Sequence, residues 1–363
     1  MTDPAVDVTG PVFLVDGELI GDLARDCIGL QIHEDVAGLR TCEARFLAVG
    51  AGATGPPDGT LLHVDGSTVD LGRRLKVTLG QTDDQRYVFD GAISAVELVL
   101  DDGSPPLAIV LAEDALMRLR MTRRVRTWKH VTDADLASSI AAEHGLEADV
   151  SAPGPRYDVV QQLNQSDLAF LRERGRLLQA EVWCTGRTVH FRTRPMRIAT
   201  DVTLARGSEL LSVRLCADLA HQRSDVIVTG YDASSKAIID EHAGPDVVEA
   251  ETSAGRAGVR LVSQALGEST TLRVREAALT SEEAQAWAKA EMLRRGRSFV
   301  RVEGTTKGTP DLVVGSKLTL EQIGEPFEGS GYYATSVRHT FDLNHGFRTR
   351  FTAERATLNQ VPA

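Results

Sequence analysis

Short alternating or continuous apolar runs, separated by clusters of Gly, Asp and Pro, fill the first hundred residues; this is the period-two signature of strands. The pattern predicts strands at 12–15, 27–33, 41–49, 75–79, 87–100 and 107–112. Asp83-Asp84 and Asp101-Asp102-Gly103 lie between such runs. Asp and Gly supply turn hydrogen bonds and positive φ there, so two hairpins follow. Gly91, inside the longest run, predicts the bulge or bend that a small curled sheet or barrel needs.

The period changes near Asp114. Arg118, Arg120, Arg123, Arg124 and Arg126 form a basic stretch before a helix that Thr132 or Asp133 caps, that carries Leu136 and Ile140, and that Gly145 ends. A second helix is predicted over 166–179, with Ser166 as N-cap, Asp167 at the positive N-terminus, and Leu168, Leu171 and Leu178 along one stripe. Residues 181–191 read as a hairpin turning at Thr185-Gly186, and 212–215 and 226–230 as strands. The stretch 232–257, rich in Ala, Gly, Ser and acids, predicts an exposed loop. A third helix spans 281–295, with a capping box of Thr280 and Glu283, apolar Ala284, Trp287, Ala288 and Met292, and Gly296 at its end. Strands return at 299–303, 317–321, 332–341 and 347–354, the last two joined by Asn344-His345-Gly346.

One segment echoes another. Gly72, Leu75–Leu79, Phe89-Asp90-Gly91 and Ser94-Ala95-Val96 have counterparts in Gly315, Lys317–Leu320, Phe327-Glu328-Gly329 and Thr335-Ser336-Val337. Two copies of a small barrel would produce this pattern, and so would a chance likeness between ordinary hairpins.

Composition narrows the classes. The chain has 363 residues, a formal charge of -11, 42% hydrophobic and 25% charged residues, all ordinary for two or three globular domains. Aromatics at 5% and the acidic balance disfavour a base-stacking or phosphate-coating surface. No run approaches the roughly 18–20 apolar residues of a membrane span, and residues 1–10 lack the basic-then-apolar order of a cleaved signal. Cys27, Cys42, Cys184 and Cys216 stand far apart without a CxxC pair, which disfavours a thiolate zinc site and fits reduced thiols.

Candidate chemistry is sparse. Gly50-Ala51-Gly52-Ala53-Thr54-Gly55 is a literal GxGxxG, but Pro56, Pro57 and Gly59 follow where a dinucleotide site needs a helix to start, so a loop is expected. His33, His63, His130, His144, His190, His221, His242, His339 and His345 make no metal-ligand spacing. Gly329-Ser330-Gly331 lacks the strand-turn-helix setting of a nucleophile, and the Asp83-Asp84 and Asp101-Asp102 pairs sit in turns. The arginine stretch 118–126 is expected on a solvated or interface face. No catalytic, cofactor-binding or metal-ligating residue is assigned, and no cofactor is expected.

The order of several segments resembles the late control D family of contractile-tailed phages, the baseplate hub proteins, and is similar to the N-terminal hub part of VgrG and to hubs of extracellular contractile injection systems. The matching residues are Val88–Ile93 with Val96-Glu97, Ala112-Glu113-Asp114 with Leu116 and Leu119, and Thr132–Leu136 with Ile140-Ala141 and His144-Gly145-Leu146. Gln165–Leu171 follows, then Gly308–Leu312 with Gly315, Gly329, Tyr332 and Val337-Arg338-His339, and finally Gly346–Thr349.

The resemblance implies a mainly β protein with α/β insertions, in which two related antiparallel β-barrel domains form a trimeric, pseudo-six-fold ring. The expected domains are a first barrel at 1–113, an α/β insertion at 114–200, a second barrel at 201–230 plus 297–360, and a loop and helix insertion at 231–296. It implies a structural hub, not an enzyme, that adapts a trimeric spike to a six-fold inner tube around a central channel. Expected partners are two further copies, a spike protein, an inner tube or tube-initiator protein and other baseplate proteins, with neither nucleic-acid recognition nor a membrane segment. VgrG-type chains continue into a needle after the hub, so a separate spike polypeptide is expected here. Assembly is expected in the cytoplasm, in a phage tail or injection-system particle. A tail-associated cell-wall hydrolase working through carboxylates and a carbohydrate-binding or adhesin module are the alternatives.

Overall fold

The computed structural model describes residues 10–49, 60–80, 86–197, 199–252, 254–267, 271–274 and 276–360. Its centre is one 13-stranded sheet. Twelve of those strands form two sets of six. The first set is β1 (Val12–Val15), β2 (Cys27–Asp35), β3 (Thr41–Leu47), β4 (Arg74–Leu79), β5 (Arg86–Val99) and β6 (Leu107–Glu113). The second is β7 (Asp201–Ala205), β8 (Leu210–Ala217), β9 (Val300–Lys307), β10 (Lys317–Glu321), β11 (Gly329–Asp342) and β12 (Gly346–Arg355). A two-residue strand, Glu18–Leu19, sits beside β1.

The two sets are wound alike. The first runs in space β2-β3-β6-β5-β4-β1, and the second runs β8-β9-β12-β11-β10-β7. Their irregularities also coincide. The register slips between Ile93 and Ala95 where β5 meets β6, and between Ala334 and Ser336 where β11 meets β12. It slips again between Cys27 and Gly29, and correspondingly between Leu210 and Ser212. At the entry to β4, Gly72 donates its N–H to Ile93 O at 2.8 Å, and Ile93 donates to Arg73 O at 2.9 Å. At the entry to β10, Gly315 donates to Ala334 O and Ala334 to Ser316 O, both at 2.9 Å. Both glycines have positive φ, +84° and +94°, which an L side chain adopts only under strain. The echoes of Gly72 in Gly315 and of Ser94-Ala95-Val96 in Thr335-Ser336-Val337 therefore mark a structural repeat, whereas Phe89-Asp90-Gly91 falls on residues 330–332 and not on its expected counterpart Phe327-Glu328-Gly329. One difference is that β1 runs antiparallel to β4, whereas β7 runs parallel to β10.

The expectation of two barrels needs correction. Among the described residues neither set closes on itself: in the first the outer edge of β2 is taken by β11 of the other set, and in the second β8 ends the sheet beside β9, so the sheet extends instead of curling shut. The bend expected at Gly91 has a different origin. A Cβ there would lie 2.2 Å from the Glu113 carbonyl oxygen, so glycine is required by close backbone approach, and the bulge itself falls at Ser94.

Four apolar cores follow. Phe13, Phe46, Phe89 and Ile93 fill the first, which also receives Phe341 from β11. Val302, Leu318, Tyr332 and Phe351 fill the equivalent core of the second set. Between β6 and β7 the chain builds a third from Leu136, Ile140, Leu171 and Phe191. Its helices are α1 (Asp133–Glu143) and α2 (Asp167–Leu178), each with the predicted cap. The Thr132 hydroxyl accepts from Asp135 N–H at 3.2 Å, and the Ser166 hydroxyl accepts from Ala169 N–H at 3.2 Å. The arginine stretch enters a strand, Arg123–Val131, that pairs with Tyr157–Ser166, neither of which the apolar periodicity signals.

Between β8 and β9 lie α3 (Gly258–Leu266) and α4 (Ser281–Arg297), packed with the hairpin Asp225–Asp232 and Ala237–Ala243 over a fourth core of Val226, Ile239, Ala284 and Met292. The loop expected over 232–257 is thus corrected. Ile239 and Ala243 are buried while Asp240 and His242 are exposed, a strand alternation concealed by the acidic composition. At α4 the Thr280 hydroxyl accepts from Glu283 N–H at 3.2 Å, but the Glu283 carboxylate accepts from Leu279 N–H at 2.9 Å rather than from Thr280.

Candidate functional site

The most developed polar constellation is where the two sheet halves and the first insertion meet. β2 brings Glu34, β11 brings Tyr333 and β12 brings Glu354. Glu181 comes from the strand Ala180–Thr185, and Arg194 and Arg197 from the turn leading out of the insertion. Arg197 donates from Nη2 to Glu34 Oε1 and from Nη1 to Glu181 Oε2, each at 2.9 Å. Arg40 donates from Nε to the other Glu34 oxygen at 2.7 Å. Arg194 pairs with Glu354 and donates from Nε to Glu181 Oε1 at 3.2 Å. Tyr333 donates its hydroxyl proton to Glu181 Oε2 at 2.7 Å.

The charges alternate and balance. Arg194 also lies 4.4 Å from the Tyr333 ring and Arg197 4.2 Å from the Trp183 ring. Burial pushes the Glu34 carboxyl up, but the guanidinium groups of Arg40 and Arg197 outweigh it and hold the group below its ordinary range. Burial disfavours the charge on Arg194, and Glu354 and Glu181 more than restore it. The Tyr333 hydroxyl is pushed up by burial and by the charge of Glu181. These groups are therefore committed to one another at neutral pH. Chemically the cluster is a clamp joining three parts of the fold.

A second cluster stabilises the insertion. Asp167, fully buried, accepts from Arg124 at 2.9 Å, His144 at 2.8 Å, Arg126 at 3.0 Å and Gln162 at 2.9 Å. Burial raises this carboxyl, yet the hydrogen bonds from Gln162, His144 and Arg124 and the charge of Arg126 leave it below its ordinary value. The helix-start motif is thus more than a cap, because its Asp gathers arginines from the basic stretch. Of the expected solvated or interface arginine face, the solvated reading is corrected for Arg124 and Arg126, which are half-buried against Asp167. Sequence spacing could not pair residues some forty positions apart.

The other sequence candidates are dispersed. Residues 50–55 and Asp83-Asp84 lie outside the described residues. Asp101-Asp102 sits in an exposed turn. Gly329–Gly331 opens β11 on a cleft of 1010 Å³, where Arg355 donates to Ser330 O at 3.3 Å and to Thr357 O at 2.7 Å. His33 meets Ser336, His63 meets Asp26, His144 meets Asp167, His190 meets Asp149, His242 meets Asp225 and His345 meets Asp342. His339 is buried, with Nδ1 3.0 Å from the Thr349 hydroxyl. Among the described residues no three His, Cys, Asp or Glu side chains form a group able to hold a metal. Nor is any helix there long and apolar enough to cross a membrane.

The family model described as the Alg8 N-terminal domain matches residues 55–342, most of the chain. The chain belongs to that family. Several solved structures are similar to this chain in fold. The prophage MuSo2 43 kDa tail protein from Shewanella oneidensis superposes with a TM-score of 0.67 at 12% identity, over 96% of this chain and 98% of that one. The tail protein from Neisseria meningitidis MC58 gives 0.64 at 12% identity, over 96% and 97%. An E. coli component of the type VI secretion system gives 0.54 at 12% identity, over 93% and 76%. At these identities the likeness establishes a shared fold, that of phage tail and type VI secretion proteins. No curated protein sequence matches significantly.

Proposed function

We propose that this protein is a structural hub of a contractile tail or injection-system baseplate, a homotrimer that adapts a three-fold spike to a six-fold inner tube. The observation that carries the reading is the internal repeat: two six-strand units with the same spatial strand order in one chain. Three chains then supply six similar units around an axis, which is the geometry a three-to-six adaptor needs. The fold shared with phage tail and type VI secretion proteins supports the same role. So does the late control D resemblance of the sequence motifs.

The role is non-catalytic. The charged clamp of Glu34, Glu181, Glu354, Arg40, Arg194 and Arg197 would keep two units of one chain at a fixed angle. Partners would be a spike protein on one rim, an inner-tube or tube-initiator protein on the other, and further baseplate proteins outside, with the particle assembled in the cytoplasm. Sedimentation or native mass measurement on the full chain tests this: a mass three times that of the chain is expected. A protein that stays monomeric at high concentration, and joins neither spike nor tube proteins, overturns it.

A further inference from the structure

Inside one chain the two halves of the sheet join by pairing β2 with β11, from Ser336 opposite Asp35 to Asp342 opposite Gly29. The repeat supplies each member of that joint twice. β8 stands in the second set where β2 stands in the first, and the end of β5 stands where the end of β11 does. Neither second copy is used. Among the described residues, residues 212–217 of β8 pair with β9 alone, and only Leu210 at its start also bridges Arg206. β4 and its entry leave β5 at Ile93, so beyond it, among the described residues, β5 has β6 on one side and an open edge on the other.

The equivalence is fixed residue by residue by the shared bulges. Aligning Ser94 with Thr335 sets Leu98 on His339 and Leu100 on Phe341. Aligning the Cys27/Gly29 slip with the Leu210/Ser212 slip sets Val213 on Leu30 and Leu215 on Ile32. Burial then differs in a telling way. His339 and Phe341, lying beneath β2, are 4% and 6% exposed, whereas Leu98 and Leu100 are 42% and 63% exposed. An open strand edge with two exposed leucines is a pairing template.

We propose that β8 of one copy pairs antiparallel with residues 96–101 of a second copy, in the register that β2 takes on β11. Leu215 then faces Leu98, Val213 faces Leu100, Cys216 faces Glu97 and Arg214 faces Val99. The apolar pairs share one face of the sheet, continuous with the core to which Val213 and Leu215 already pack. On the other face Arg214 lies diagonally between Glu97 and Asp101 of the second copy. Arg214 is positive while Glu97 and Asp101 are negative, and none of the three has a salt bridge among the described residues of its own chain, although Glu303 stands opposite Arg214 on β9, so the edges are complementary in charge as well as in shape. Closure after three copies rests on the hub reading; the pairing and its register do not.

Cys216 is the exposed cysteine of the four, and Cys27, Cys42 and Cys184 are buried, so the native thiol serves as a reporter. Directly opposed antiparallel residues stand within disulfide reach, about 4.5–5.5 Å between Cα atoms. Full-length Glu97→Cys, oxidised gently with copper-phenanthroline, should give linked chains on a non-reducing gel, with the 97–216 cross-linked peptide identified by mass spectrometry. Adding Cys216→Ser should abolish the links, and Asp101→Cys, opposite Ser212, should link far less. Arg214→Glu should weaken self-association at least ten-fold, and adding Glu97→Arg with Asp101→Arg should restore it. An assembled trimer in which Glu97→Cys gives no 97–216 link overturns the register while leaving the hub reading standing. A chain that remains monomeric with no cross-link overturns both.

Discussion

Arg197 and Glu34, 163 residues apart in sequence, meet at 2.9 Å where the insertion docks against the first half of the sheet. Both side chains are almost wholly buried, so each depends on the other for the solvation it lost. Removing one member of a buried pair leaves an uncompensated charge, which costs about 3–5 kcal/mol. Arg197→Ala is expected to lose that much stability in chemical denaturation followed by circular dichroism. A loss below about 1 kcal/mol would mean that water reaches the clamp.

His339 makes stability acid-sensitive. Burial, and next the charge of Arg40, lower its imidazole from 6.5 to about 3, so the folded protein holds the neutral ring. Its folded value lies below its unfolded value. The unfolded chain therefore takes up a proton that the folded chain refuses as pH falls through 6.5. Stability from this group is complete above that pH and is lost progressively toward pH 3, by at most about 1.4 kcal/mol per unit. Urea midpoints of His339→Gln should show a flatter pH dependence in this window than those of the parent. Identical slopes would refute the assignment.

The two repeat glycines should differ in their tolerance. Both need positive φ, so alanine at either costs about 1–2 kcal/mol from backbone strain. A Cβ at Gly72 meets open space, but one at Gly315 lies 2.7 Å from Arg197 Nε. Thermal melts should therefore rank Gly315→Ala below Gly72→Ala, and the reverse order would contradict the clamp geometry.

Thr280 caps α4 through Glu283 N–H. Thr280→Ala is expected to cost about 1 kcal/mol, and Thr280→Ser to recover most of it. Fluorescence from Trp287, on the same helix, offers a local readout.

Much of the architecture was legible in local pattern. The caps at Thr132, Ser166 and Thr280 announced their helices because capping is a short-range exchange between a side chain and backbone N–H groups three residues away. The echo of Gly72 in Gly315 announced the repeat because positive φ restricts the residue type. The strand at 237–243 was hidden because its inward residues, Ile239 and Ala243, are embedded among polar and acidic residues. Clamp and Asp167 cluster stayed invisible for a different reason. The contacts that tie each cluster together join residues about forty (Arg124 and Asp167) to more than 150 (Glu181 and Tyr333, Glu34 and Arg197) positions apart, and charged residues of their type are common everywhere on the chain.

The sequence by itself determined most of the sheet strands and the three capped helices, and it offered a repeated unit as one of two readings, since each depends on neighbours within one turn or one hairpin. Only the tertiary structure decided that the two units share an open sheet instead of closing as separate barrels. That choice turns on which edge β2 offers its backbone hydrogen bonds to, its own β1 or the distant β11. Either partner would satisfy the same N–H and C=O groups, so local pattern cannot discriminate between them. Burial of Phe341 in the first core and of Glu34 with Arg197 in the clamp comes only with the second choice.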